Sequence, residues 1–236
     1  MNDKIIGILG GMGPEATAEC YLKIIRATNA SKDQDHFRVI IDSNAKIPDR
    51  TEAISGRGAN PVPEMIHTAK NLEKLNVDVA CIPCMTSHYF IEEVQKAVSF
   101  PLLNAFLELK KYIQDYYPHV KKIGVLATTG TLETGLFNEY LDYLHVINPT
   151  PYTQNDKVMR AIYGKNGIKS GNTGGEPLHL LKEASQELMD NGAELIISGC
   201  TEIGLVLKPY HLPVPLVDPM EVVANVVVKE TVYQKS

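Results

Sequence analysis

The chain has 236 residues, 44% hydrophobic and 22% charged, enough for a buried core in one large domain or two small ones. A formal net charge of -5 without any basic run excludes a general electrostatic attraction to nucleic acid or to an anionic membrane, though it leaves room for a local cationic pocket. No segment approaches the roughly 18 apolar residues of a membrane helix, and the four cysteines lack both disulfide-scaffold spacing and a zinc-type His/Cys cluster, which points to reduced thiols in a cytoplasmic protein with no metal.

Met-Asn-Asp-Lys followed by Ile5 to Leu9 is too short an apolar run for a signal peptide and reads as a first strand. The run ends in Gly10-Gly11-Met12-Gly13-Pro14, and Glu15 to Ala27 has helical composition, with Pro14 suited to a first helical position. A second strand is expected at Phe37 to Asp42, then a loop from Ser43 to Thr51 whose prolines and polar residues predict no regular structure. Pro63 to Leu75 carries Met65, Ile66, Ala69, Leu72 and Leu75 at helical spacing. Val77 to Pro83 reads as a buried strand, Thr86 to Val98 as a helix and Pro101 to Leu103 as a short strand. This alternation predicts an α/β protein with a doubly wound parallel sheet.

The second half restates the first. Lys122 to Leu126 followed by Ala127-Thr128-Thr129-Gly130 matches the first strand and its glycine turn, and helix Ala184 to Asn191 leads into Gly192 to Thr201 as Ala69 to Asn76 leads into Cys84. Gly7 and Gly124 lie 117 residues apart, Cys84 and Cys200 lie 116 apart, and Pro101 and Pro215 lie 114 apart. The near-constant offset predicts two homologous lobes. Residues 1–103 with 216–236 are expected to form the N-terminal lobe and 104–215 the C-terminal lobe, with a helix from Met220 to Val232 returning to cover the first.

Cys84 and Cys200 each follow an apolar strand and precede a helix, so each is expected at the carboxyl edge of a sheet, where open α/β proteins place ligands. The field of a helix N-terminus there favours thiolate and predicts a pKa below the free value of about 8.5. Two lobes facing each other would set one thiol to abstract a proton and the other to return one to the opposite face of a tetrahedral carbon. Cys20 and Cys81 fall inside a helix and a strand and are expected to pack in the core. Gly11-Met12-Gly13-Pro14-Glu15-Ala16 fits the permissive dinucleotide pattern, which a proline and the dissimilar second-lobe turn weaken. Its N–H groups suit a carboxylate as well, for which Arg50 and Lys169 supply positive charge.

These stretches resemble the cofactor-independent aspartate/glutamate racemases, and most closely the microbial aspartate racemases, over essentially the whole chain. The resemblance rests on Ile6 to Thr17, Ile47-Pro48-Asp49-Arg50-Thr51, Leu126 to Thr131, Gly199-Cys200-Thr201-Glu202 and Val217-Asp218-Pro219-Met220. It implies two flavodoxin-like lobes with parallel sheets and pseudo-twofold symmetry, an active site between them, no cofactor and no metal, and a homodimer. It also implies Cys84 and Cys200 as catalytic bases, Arg50 on one substrate carboxylate, Lys169 on the distal one, and Met12, Thr86, Thr129 and Thr201 lining the pocket, with Met85 and Glu202, beside the two cysteines, as further candidate substrate-binding residues. In that family asparagine usually follows the first cysteine, whereas this chain has Met85, and a thioether cannot offer the amide's hydrogen bonds. His88 stands one helical turn after Cys84, where it could tune the thiol or be a capping or surface histidine.

The expected activity is therefore interconversion of L- and D-aspartate, with glutamate second. Met85 keeps open a related racemase, isomerase or decarboxylase acting on another small acid, and a non-catalytic two-lobed protein binding acidic amino acids uses the same architecture.

Overall fold

The computed structural model describes residues 4–232; residues 1–3 and 233–236, which the expected first lobe includes, lie outside the described residues. The chain divides into two compact units, Met1–Glu108 with Met220–Ser236, and Leu109–Pro219. Each contains an all-parallel sheet.

In the first unit the sheet has the order β2-β1-β3. β1 (Ile6–Gly10) is buried along its whole length, as expected of a central parallel strand covered on both faces. It feeds α1 (Pro14–Ala27), which starts with Pro14 in the first turn and buries Ala16, Cys20 and Ile24 in one stripe at i, i+4, i+8. β2 (Val39–Ser43) pairs with β1 from Ile6↔Val39 to Gly10↔Ser43.

The last two residues of the expected loop, Arg50 and Thr51, are instead helical. α2 (Arg50–Ile54) begins at Arg50 because the Asp49 side chain caps it, accepting from the Glu52 N–H at 3.0 Å. α3 (Val62–Lys74) buries Met65, Ala69 and Leu72 and leads to β3 (Val79–Cys81), whose register on β1 is Ile6↔Val79 to Ile8↔Cys81.

After β3 the expected helix from Thr86 to Val98 is instead a 3-10 turn, Thr86–Phe90, followed by the short α4 (Ile91–Gln95). The reason is local competition for one acceptor. The Cys84 carbonyl, which an α-helix would give to the His88 N–H, accepts Ser87 Oγ at 2.6 Å and His88 Nδ1 at 2.9 Å, and the His88 N–H bonds one residue closer, to Met85. The expected strand at Pro101 to Leu103 reduces to a single bridge, Ala80↔Leu102, pinned by the Gln95 amide, which donates to Phe100 O and accepts from Leu102 N–H. Cys20 and Cys81 are core residues, with their sulfurs 3.8 Å apart.

α5 (Ala105–Tyr116) spans the division between the units. The second unit then runs β4 (Lys122–Leu126), α6 (Thr129–Glu133), α7 (Leu136–Tyr140), β5 (His145–Ile147), α8 (Pro151–Thr153), a π turn over Gln154–Met159, α9 (Arg160–Tyr163), a 3-10 turn over Ile168–Ser170, α10 (Gly175–Asp190), β6 (Leu195–Ser198), α11 (Thr201–Val206) and β7 (Leu216–Val217). Its strand order is β5-β4-β6-β7. α12 (Pro219–Val232) belongs from Met220 onward to the first unit, where Lys4 Nζ donates to the Glu230 carbonyl.

The two sheets share one topology: in each, the first strand of the unit is central, the second lies on one side and the third on the other. A sterically equivalent contact accompanies it. A Cβ on Gly7 would meet Ala80 and Leu72 at 2.9 and 3.3 Å, and one on Gly124 would meet Ile196 and Leu188 at 2.6 and 2.9 Å. In both units, then, the central strand carries glycine where the helix preceding the third strand presses onto it. Among the described residues no helix is long and apolar enough to cross a membrane.

Candidate functional site

Because all strands in a unit are parallel, the loops leaving their carboxyl ends gather at one sheet edge. In the first unit these loops carry Met12 after β1, Arg50 after β2 and Cys84 after β3; in the second they carry Thr129 after β4 and Cys200 after β6. The expected edge placement of both cysteines is thus present in each sheet.

In the first unit, Gly11 adopts φ +94° while the backbone of Asn44 lies within 2.6 Å of where a Cβ would stand. The turn is therefore glycine for packing reasons independent of any phosphate. The Gly11 N–H donates to Thr17 Oγ1 at 2.9 Å, and that hydroxyl donates to Gly13 O at 2.8 Å. Arg50 is 8% exposed and its guanidinium donates to Pro48 O at 2.9 Å, Met12 O at 3.3 Å and Ile47 O at 3.4 Å. Three carbonyls fix the cation next to the Met12 turn, and α2 packs on the 3-10 turn that follows Cys84. Met12, Ile47 and Cys84 share one apolar cluster. Met85 and Thr86 are also buried.

His88 does not reach the thiol. Its Nδ1 faces the Cys84 carbonyl, an acceptor only, so that nitrogen carries the proton. Burial dominates its titration and lowers its pKa to about 4, against the opposing effect of its hydrogen bonds, with Phe106 edge-on at 5.9 Å. The imidazole is a neutral brace under the Cys84 backbone.

In the second unit Cys200 is the N-cap residue of α11 and is 6% exposed. Its Sγ–H donates to Glu202 Oε2 at 2.9 Å, and Thr201 Oγ1 donates to the same oxygen at 3.1 Å. The other oxygen, Oε1, accepts from Lys169 Nζ at 2.5 Å. Lys169 also lies 5.4 Å over the Tyr163 ring. The charges explain the protonation pattern. Burial would raise the Glu202 pKa, but Lys169 and the donated hydrogen bonds outweigh it and hold the carboxyl below its ordinary range. Burial would depress Lys169, but the Glu202 charge beside it prevails and raises it.

Cys200 moves opposite to the expectation drawn from a helix N-terminus. Burial and the adjacent Glu202 carboxylate push its thiol well above the ordinary value, and neither the short α11 nor Lys169 compensates. The group rests as a thiol with its proton directed at a carboxylate.

Thr129 opens α6, which Thr128 caps by accepting from the Thr131 N–H at 3.2 Å. The Thr129 hydroxyl accepts from Gln154 Nε2 at 3.2 Å, and the same amide nitrogen donates to Ala127 O at 3.0 Å. The sequence gives no local signal for Gln154, which reaches Thr129 from 25 residues away through a π turn. Nor does spacing show that Lys169 pairs with Glu202, 33 residues on. Among the described residues no group of three or more His, Cys, Asp or Glu is arranged to hold a metal ion.

The model of the Asp/Glu/hydantoin racemase family matches residues 9–227. A broad specificity amino-acid racemase, RacX, from Bacillus subtilis (strain 168) is 31% identical over 222 residues, covering 91% of this chain and 92% of its own. Among solved structures, the aspartate racemase of Picrophilus torridus superposes with a TM-score of 0.82 at 25% identity, covering 97% of this chain and 94% of that one. A glutamate racemase from Francisella tularensis in complex with D-glutamate superposes at 0.67 and 18% identity, over 100% and 83% of the two chains, a likeness of fold. The chain thus belongs to the Asp/Glu/hydantoin racemase family of enzymes.

Proposed function

We propose that the protein racemises aspartate, and glutamate second, without a cofactor, with Cys84 and Cys200 as its two acid–base groups. The observation that carries this reading is the state of Cys200: a buried thiol whose proton points at a carboxylate held anionic by Lys169. In one direction the Cys84 thiolate removes the α-proton and Cys200 delivers its own to the opposite face. In the other, Cys200 must first lose its proton, and Glu202 is the acceptor in contact with it. Negative charge developing on the α-carboxylate meets Arg50, a buried guanidinium already fixed by carbonyls. The mechanism requires both thiols to reach opposite faces of one α-carbon, and the enzyme acts as a homodimer in the cytoplasm.

The similarity to an aspartate racemase supports aspartate as substrate. A second reading, an amino acid with an uncharged side chain, is favoured by two observations. A distal carboxylate would have to share Lys169 with Glu202, and Met85 stands beside Cys84 without an amide to offer. The similarity to a broad specificity racemase supports the same reading.

The test is polarimetry, with chiral chromatography, of purified protein against single enantiomers of aspartate, glutamate and then a panel of neutral amino acids, with no cofactor added. Loss of optical rotation with aspartate supports the first reading. Loss only with neutral members selects the second, and stable rotation throughout the panel overturns both.

A further inference from the structure

One buried side chain next to the proposed substrate-binding residues is only half satisfied. Gln154 is 6% exposed, yet its Oε1 is fully buried without a hydrogen-bond partner. Leaving an amide oxygen in that condition is unfavourable, so such a group calls for an explanation beyond core filling. Gln154 also opens a π turn, Gln154–Met159, a wound-out geometry that recurs at functional sites. The turn has its own anchor: Glu187 of α10 accepts from the Thr150 N–H at 2.7 Å, from Thr150 Oγ1 at 3.2 Å and from Thr153 Oγ1.

Both ends of the π turn converge on Thr129. Gln154 Nε2 donates to the Thr129 hydroxyl and to the carbonyl of Ala127, and Met159 Sδ accepts the Thr129 N–H at 3.3 Å. The amide orientation is forced, because only an N–H can face a carbonyl. Thr129 Oγ1 is therefore an acceptor toward Gln154, and its own proton is directed elsewhere. A hydroxyl constrained in this way keeps its proton available to donate, which suits a carboxylate.

We infer that Gln154 is a positioning residue: it fixes the Thr129 hydroxyl as a hydrogen-bond donor to the substrate carboxylate. This rests on the proposed racemisation and on Thr129 lining the substrate site. The role is one of binding rather than proton transfer, so it separates KM from kcat.

The experiment is steady-state racemisation by the full-length protein and by Gln154→Leu, Thr129→Val and the double variant. Each single change is expected to raise KM about tenfold, the worth of one hydrogen bond to a charged group, with kcat within about twofold of wild type. The double variant is expected to match the singles, since both remove the same contact. Unchanged KM in Gln154→Leu, additive effects in the double variant, or a loss confined to kcat overturns the inference. Should Gln154→Leu fail to fold, Thr129→Ser, which keeps the acceptor, must retain the wild-type KM while Thr129→Val loses it; equal values overturn the inference. A wild-type protein that racemises nothing overturns the function itself, a result recognisably different from any of these.

Discussion

Glu202→Gln removes the negative charge on which three donors converge. In the wild type its carboxylate accepts from Cys200 Sγ at 2.9 Å, Thr201 Oγ1 at 3.1 Å and Lys169 Nζ at 2.5 Å. The glutamine keeps one acceptor oxygen and brings an NH2 into a set of donors, and Lys169 is left without its counter-ion. Breaking one side of a well-buried pair costs about 3–5 kcal/mol; with the Lys169 side chain 25% exposed and Glu202 6%, solvent reduces this to about 2–4 kcal/mol. For a chain of this size that is a fall in Tm of roughly 5 to 15 °C.

The pH dependence fixes the cause. Glu202 has a folded pKa below its ordinary 4.5, so its contribution is present above 4.5 and is lost as pH falls through the folded value. Lys169 has a folded pKa above its ordinary 10.5, so its contribution is present below 10.5 and is lost only as pH rises through the folded value. The gap between wild type and variant in urea unfolding is therefore expected to stay level from pH 6 to pH 9 and to close in acid below 4.5. A variant as stable as wild type at pH 7, or a gap that persists undiminished at pH 3, refutes the pairing as the source of stability.

Other consequences follow from the same geometry. In Glu202→Gln the carboxylate that pushes Cys200 upward is gone while Lys169 remains, so alkylation of Cys200 by iodoacetamide is expected to begin at lower pH than in wild type; an unchanged profile contradicts this. His88, with a folded pKa of about 4 against 6.5, is neutral in the fold and protonated in the unfolded chain between those values, so stability is present above pH 6.5 and falls by about 3 kcal/mol on acidification to pH 4. His88→Gln is expected to abolish that slope, and a parallel slope in wild type and variant would show the assignment to be wrong. Gly11→Ala is expected to cost several-fold more than Gly56→Ala in chemical denaturation. Both glycines have positive φ, worth about 1 kcal/mol, but only Gly11 faces backbone atoms within 2.6 Å, while Gly56 has nothing within 4 Å.

The regular parts of each unit were legible because their signals are local. Ile5 to Leu9, Gly11 and Pro14 mark strand, turn and helix within a few residues, and the offset between Gly7 and Gly124 registers a steric requirement that both sheets repeat. What escaped depends on partners distant in sequence or on side chains that bond to backbone. The 3-10 turn after Cys84 arises from Ser87 and His88 taking the Cys84 carbonyl, which apolar periodicity does not register. The strand His145–Ile147 is only three residues long and half-exposed, too short for a pattern. Within the candidate site, the residue types at the strand ends were readable, but their electrostatics were not. A helix N-terminus predicts an acidified Cys200, whereas α11 is only six residues long and burial, with Glu202 two positions on, outweighs it.

The central claim, that Cys84 and Cys200 act as a pair, is tested most directly by the single variants Cys84→Ala and Cys200→Ala in deuterium oxide. Chiral chromatography reads net racemisation, and NMR reads exchange of the α-hydrogen. The account predicts that neither variant interconverts enantiomers, and that each exchanges the α-hydrogen of one enantiomer only, opposite for the two variants. Racemisation that persists in both single variants would contradict it.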